Sequence, residues 1–270
     1  PIYDEPGSTF SMFSVKVAMD LYDHLANVTN PKFTNRVLTK EEVIERVPKI
    51  NTDKLLGGGL YLDFRNNDAR LVIENIKQAH ADGATLLSKT KVIGFIYDNN
   101  QQISGVTVED QLTKEVYEVK ANVVINTTGP WSDTIRQLDT NQEISSIMRP
   151  TKGVHLVVDK SRLSVSQPTY FDTGRHDGRM VFVIPREEKT YFGTTDTDYT
   201  GDLTHPKVTQ EDVDYLLEII NHQFPTSKIV IEDIEASWAG LRPLISDNGG
   251  SDYNGGNNGT MSDESFERIV

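Results

Sequence analysis

Apolar residues recur along this chain with two periods, and those periods assign most of its elements. Phe10, Phe13, Val17, Leu21 and Leu25 return at helical spacing, which predicts a first helix within residues 9–26. Thr39-Lys40-Glu41-Glu42 has the form of a capping box. The Thr hydroxyl can accept from the N3 amide while Glu42 reaches back, so a short helix should follow and stop before Pro48. Gly57-Gly58-Gly59 leads into Leu60-Tyr61-Leu62-Asp63-Phe64, whose alternation predicts a strand with one buried face. A strong helix follows, capped by Asn67 or Asp68, striped with Ala69, Val72, Ile73, Ile76 and Ala79, and stopped by Gly83. Thr85 to Tyr97 is strand-like, and Asp98-Asn99-Asn100 turns the chain into a meander over Ile103 to Val108 and Val116 to Val119. Val123-Val124-Ile125-Asn126 is a β-branched run suited to a sheet interior. It breaks off into Thr127-Thr128-Gly129-Pro130-Trp131, where Gly129 would let a ligand or another backbone come close.

From residue 144 the pattern changes. Strand-like segments are predicted at 153–158, 167–171, 179–184 and 190–194. A helix capped by Thr209 carries Val213, Leu216, Leu217 and Ile220 as its stripe. A strand at 228–234 is then expected to lead into Glu235-Ala236-Ser237-Trp238-Ala239-Gly240-Leu241-Arg242-Pro243. Residues 246–263 are rich in Gly, Asn, Asp and Ser and predict a mobile loop. The fold class expected is α/β with a β insertion in the first half, followed by an α+β domain on a mixed sheet. No internal repeat is visible.

Composition narrows the function classes. The 270 residues are 37% hydrophobic and 25% charged, as in an ordinary globular protein, and no apolar run approaches the ~20 residues of a membrane span. A net charge of -13 argues against a duplex-binding surface, since nucleic-acid affinity rests on Lys and Arg neutralising phosphates. It leaves room for a small anionic substrate, because a few local cations override the global sign. With no cysteine there is no disulfide, thiolate ligand or Cys nucleophile, which fits a cytoplasmic setting. Peripheral attachment to a membrane stays open. The start at Pro1 and the helix-like ending Ser265 to Val270 suggest a fragment of a longer protein.

Candidate chemistry is sparse. No Gly-x-Gly-x-x-Gly fingerprint, Walker loop, nucleophile elbow or metal-ligand spacing occurs. His155, within Lys152-Gly153-Val154-His155-Leu156-Val157-Val158, is either a satisfied core histidine or a general base or anion ligand. Arg242, between Gly240-Leu241 and Pro243, is either a structural ion pair or a preorganised fork for carboxylate or phosphate. For Lys152 a solvated surface charge is the commoner reading. Thr194-Thr195-Asp196-Thr197-Asp198 could hold a cation but fits a strand-end turn better, and Tyr61 and Tyr170 read as core or rim residues.

In order along the chain stand Ile125-Asn126-Thr127-Thr128-Gly129-Pro130-Trp131, Lys152-Gly153-Val154-His155, Phe182-Val183-Ile184-Pro185, Phe192-Gly193-Thr194-Thr195-Asp196 and Trp238-Ala239-Gly240-Leu241-Arg242-Pro243. With these motifs the sequence resembles the FAD-dependent glycerol-3-phosphate dehydrogenases, and most of all their alpha-glycerophosphate oxidase subgroup from Gram-positive bacteria. Residues 1–19 and 61–70 also look like that subgroup. The wider relatives are the D-amino-acid-oxidase-like flavoproteins.

The resemblance implies part of a Rossmann-type FAD domain interleaved with a mixed-sheet substrate domain. On that basis residues 1–50 form a helical N-terminal segment and 51–67 contribute a strand of the substrate domain. Residues 68–143 are a partial FAD-binding domain, 144–245 the substrate domain, and 246–270 a loop with the start of a helix. Val92, Thr127, Thr128, Gly129 and Trp131 would lie near FAD; Lys152, His155 and Arg242 would bind the substrate, with His155 and Arg242 catalytic. The implied reaction oxidises sn-glycerol 3-phosphate to dihydroxyacetone phosphate, with oxygen rather than a quinone as acceptor. A flavin-dependent amine or amino-acid oxidase, or a binding-only substrate domain, is the alternative. The family's phosphate-cradling glycine motif and its C-terminal Gly-Gly-Lys segment have no counterpart in this sequence. The chain alone is therefore expected to bind FAD weakly or not at all and to be inactive.

Overall fold

The computed structural model describes residues 1–5, 10–139, 145–175 and 177–246. The chain divides into two units, one of Pro1–Leu62 with the chain from Arg149 onward, the other of Asp63–Met148.

The first unit begins with β1 (Ile2–Tyr3), α1 (Met12–Leu25), β2 (Arg36–Thr39), α2 (Lys40–Arg46) and β3 (Leu55–Leu60). The antiparallel strand order is β1-β3-β2. Thr39 caps α2 reciprocally with Glu42, as its capping box predicts. The strand expected at 60–64 lies instead over 55–60, with the glycines inside it, and Phe64 is exposed. The reason is space. A Cβ on Gly59 would stand 2.6 Å from Met19 Sδ and 2.8 Å from Val15 Cγ1, so α1 packs directly on bare backbone. The helix uses Val15 and Met19 for this contact, while Phe13, Val17, Leu21 and Leu25 face outward. One turn beyond Met19 the same face buries Asp23, which accepts from the backbone N–H and the side chain of Asn35 at 2.7 and 2.8 Å.

The second unit holds α3 (Asp68–Ala81), β4 (Thr90–Tyr97), β5 (Ile103–Asp110), β6 (Val116–Lys120), a 3-10 turn over Gly129–Trp131 and α4 (Ser132–Arg136). Asn67 caps α3, and Gly83 ends it at φ +96°. The three strands form an antiparallel meander in the order β4-β5-β6. Two expectations fail here. The strand predicted from Thr85 starts only at Thr90, and 123–126 is not a strand: Val123 is 72% and Ile125 79% exposed. An interior strand needs ladder partners, and among the described residues none pairs with this run. The α3 stripe Val72, Ile73 and Ile76 is exposed as well. Asp133 of α4 does the local fastening. Its carboxylate accepts from Ser146 Oγ and from the backbone N–H groups of Ile147 and Met148, and pairs with Arg136 at 2.6 Å.

The first unit resumes with β7 (Met148–Asp159), β8 (Thr169–Asp172), β9 (Met180–Arg186), β10 (Lys189–Gly193), β11 (Thr197–Asp198), α5 (Gln210–Gln223) and β12 (Ile234–Ile245). These strands make one six-stranded sheet in the order β11-β7-β10-β9-β8, with β12 also paired to β7. Side chains alternate between its two faces. On one face Val154, Leu156, Val158, Phe192, Val181, Val183 and Phe171 are buried against Leu216, Ile219 and Ile220 of α5, together with Phe224. This is the main core. Thr209 caps α5 reciprocally with Asp212. The strand expected at 228–234 is corrected: a 3-10 turn occupies Ile231–Asp233, and β12 begins at Ile234. Asp233 accepts from the Val230 N–H at 2.9 Å and pairs with Arg162, so the extended chain starts only after it. The loop and helix start expected at 246–270 lie, apart from Ser246, outside the described residues.

Candidate active site

The sheet face opposite α5 carries His155 and receives Arg242 over Gly153. Register aligns Tyr170 of β8, Phe182 of β9, Gly193 of β10 and His155 of β7 in one row across the strands. At the end of this row the glycine leaves a gap, and the imidazole of His155 fills it. A Cβ on Gly193 would stand 2.7 Å from His155 Cδ2. From β12, Trp238 stacks on the same ring, centroids 4.8 Å apart and planes 12° from parallel. Tyr191 approaches edge-on at 6.0 Å.

Gly153, two residues before His155 on the same face, serves Arg242 in the same way. A Cβ there would meet Arg242 Nη2 and Nη1 at 2.8 and 2.9 Å. The guanidinium donates from Nη1 to the Thr195 carbonyl at 3.3 Å and to Asp196 Oδ1 at 3.1 Å, and from Nη2 to Thr194 Oγ1 at 3.2 Å. These contacts leave two of its five donors without a partner among the described residues. The Thr194–Asp196 turn is pinned to β7 by Thr195, whose hydroxyl accepts from the Val154 N–H at 3.1 Å and donates to the Lys152 carbonyl at 3.2 Å. Arg242 is thus oriented in advance, half-buried, with free donors and a counter-carboxylate already beside it. Of the two sequence readings of Arg242, the ion pair is present, with Asp196.

Lys152 goes elsewhere. It is one residue out of phase with Gly153, so its side chain leaves from the α5 face. It is buried there, paired with Asp212 Oδ2 at 2.5 Å and donating to the Lys207 carbonyl at 3.2 Å. It locks the start of α5 to β7, a structural task that the sequence does not announce, rather than lying exposed at the surface. Asp196 pairs with Arg242 and Asp198 with Arg149, and among the described residues no group of three or more His, Cys, Asp or Glu could hold a metal ion. Tyr61 meets Tyr22 edge-on, and Tyr170 stacks on Phe182. Trp238, Gly153 and Gly193 stood inside quoted motifs with no role assigned, and Tyr191 only within an expected strand. The signal that finds them is register: glycines facing a polar ring or guanidinium from the same or a neighbouring strand.

The remaining candidates belong to the Asp63–Met148 unit. Val92 lies half-buried on β4, opposite Val108 and beside an irregularity before Gly94. Thr127 to Trp131 form a turn held by Asn126, which accepts from the Thr128 N–H at 3.2 Å and its hydroxyl at 2.7 Å and donates to the Ser132 carbonyl. Gly129 takes φ +56°, a conformation that favours glycine, and nothing stands within 4 Å of where a Cβ would be. Trp131 is partly exposed beside it. The turn is an open edge that a flat ligand can approach.

Comparison with known proteins places this geometry in a family. Residues 3–257 match the model of the FAD dependent oxidoreductases. The chain is 71% identical over 270 residues to an alpha-glycerophosphate oxidase of Enterococcus casseliflavus and 65% identical to one of Streptococcus pneumoniae. All of the chain is covered in both matches, but it spans only 44% of the length of these relatives. Among solved structures it resembles a glycerol-3-phosphate dehydrogenase from Bacillus halodurans complexed with FAD. There the TM-score is 0.72 and the identity 46%, over 78% of this chain and 42% of that one. A glycine oxidase from Bacillus cereus, 19% identical with a TM-score of 0.59 over 88% of this chain and 59% of that one, shares the fold. The chain belongs to the FAD dependent oxidoreductases.

Proposed function

We propose that this chain carries the substrate-holding sheet of an FAD-dependent enzyme that oxidises sn-glycerol 3-phosphate to dihydroxyacetone phosphate, with oxygen as the acceptor. The observation that carries this reading is the pairing of His155 and Arg242 on one sheet face, each seated over a glycine. High identity to alpha-glycerophosphate oxidases supports the choice of substrate. Arg242 would hold the phosphate through its two remaining donors, since charge-assisted forked contacts are strong and directional. Asp196 keeps the guanidinium in place before the anion arrives. His155 would accept the proton of the C2 hydroxyl, a role suited to a group that ordinarily titrates near neutrality. Lys152 acts at one remove by holding α5 against β7.

The Thr127–Trp131 turn and Val92 fit one edge of a dinucleotide site, because Gly129 offers backbone with no side chain in the way. FAD, when bound, supplies the acceptor for the hydride leaving C2. Within these 270 residues no Gly-x-Gly-x-x-Gly loop occurs to cradle a pyrophosphate. A flavin titration of the purified chain is therefore expected to give no tight stoichiometric binding, and tight binding would overturn that part. The activity is tested in a chimera in which this chain replaces the aligned 270 residues of the Enterococcus relative. Glycerol 3-phosphate should yield hydrogen peroxide, while glycine and sarcosine should not. A preference for the amino acids would overturn the substrate assignment, and turnover with a quinone but not oxygen would overturn the acceptor.

A further inference from the structure

We propose that Trp238 is a positioning residue for His155: with Gly193 it clamps the imidazole in the one orientation from which it meets the substrate hydroxyl. This rests on the reading of His155 given above. Three observations point the same way. The indole is nearly coplanar with the imidazole, 12° between planes, at stacking distance. On β10 the ring lies over Gly193, where any side chain would displace it. Tyr191, tilted against Trp238 at 5.6 Å, also meets the imidazole edge-on and closes the third side. A histidine on an open sheet face would sample several rotamers. Here those rotamers are removed by a backbone seat, an aromatic cover and an aromatic edge.

Trp238 is 46% exposed and lies outside the buried core cluster, so core packing is not its main contribution. The stacking also explains why this Trp stands four residues before Arg242 on β12. At that spacing both side chains leave the same face of the strand, one reaching His155 and the other Gly153. A single strand thereby sets the distance between the proton-accepting group and the anion-holding group. Losing the aromatic cover should release the imidazole while leaving Arg242 in place.

The test compares Trp238→Phe with Trp238→Leu, which is near Phe in bulk but has no π face. In the 270-residue chain, the His155 ring-proton resonances should be shifted by the indole ring current. They should stay shifted in Trp238→Phe and lose most of that shift in Trp238→Leu, where only the edge-on Tyr191 remains, with the unfolding midpoint unchanged in both. In the chimera, Trp238→Leu should lower kcat by about tenfold to a hundredfold with KM for glycerol 3-phosphate changed little, and Trp238→Phe should retain most of kcat. Equal kcat for Phe and Leu, or His155 resonances that ignore the Leu change, would overturn the proposal. His155→Gln is the separate control. Full turnover in that variant would overturn the assignment of His155 itself, whereas its loss alongside an unaffected Trp238→Leu would overturn only the positioning role.

Discussion

Gly193 has no room for a methyl group. Its Cβ would meet the Val154 carbonyl oxygen at 2.5 Å, backbone that cannot swing away, as well as the His155 ring. Gly193→Ala should therefore lower unfolding stability in urea by about 1–3 kcal/mol, the usual range for overpacking. Gly153→Ala meets flexible Arg242 and Thr194 side chains instead and should cost less. Asp133 tests a different kind of fit. Burial alone would raise its carboxyl pKa, but donors from Ser146, Met148, Arg136 and Ile147 outweigh that and hold it below the usual carboxylate range. Its contribution is thus present above the unfolded value of about 3.9 and is lost as the pH falls through the lower folded one. Asp133→Asn should destabilise the chain at pH 7, and the gap to the wild type should narrow as urea midpoints are measured from pH 5 toward pH 2. At this scale the sequence named His155, Arg242 and Lys152 together, and the structure puts the first two on one sheet face and Lys152 on the other, because a basic residue in a conspicuous motif says nothing of the face it leaves from. Strand phase decides that, and it places Lys152 with Asp212.

Elements were legible where their signals are local. Thr39 with Glu42, Asn67, Gly83 and Thr209 with Asp212 act within one turn of backbone, and each ends or begins a helix as its chemistry requires. Thr209→Ala should accordingly cost about 0.5–2 kcal/mol in thermal or urea unfolding, more toward the upper end because Asp212 also serves Lys152. Strands are another matter, since their partners are remote. The run at 123–126 has the composition of an interior strand but no ladder neighbour among the described residues, and Asp233 turns the chain at 231–233 where apolar spacing suggests extension. The glycines of β3 were expected to precede a strand and instead form one, because α1 needs bare backbone to approach. In α1 the apolar period was sound evidence of a helix and poor evidence of its buried face: Val15 and Met19 pack, while Phe13 and Leu25 do not.

For the molecule as a whole, a change of pattern along the chain could be read from the sequence, but which surfaces would be covered could not. Val123, Ile125, Leu86, Leu87 and the α3 stripe leave the Asp63–Met148 unit with many exposed apolar side chains. Such surface drives association in water, and a net charge of -13 opposes it only through screened repulsion. The chain should therefore self-associate increasingly as salt is raised, and the double change Val123→Thr with Ile125→Thr should reduce that association in sedimentation velocity without moving the unfolding midpoint. A chain that stays monomeric at high salt would contradict this. The large sheet raises a last point. Along β7 the even-numbered side chains from 152 to 158 hold the core and α5, while Gly153 and His155 belong to the opposite face. Inheritance can then revise one set and leave the other untouched. A lineage could vary the ligand-facing side chains of such a sheet while the residues that hold its core stay as they are, with the two glycine seats as the positions that resist change.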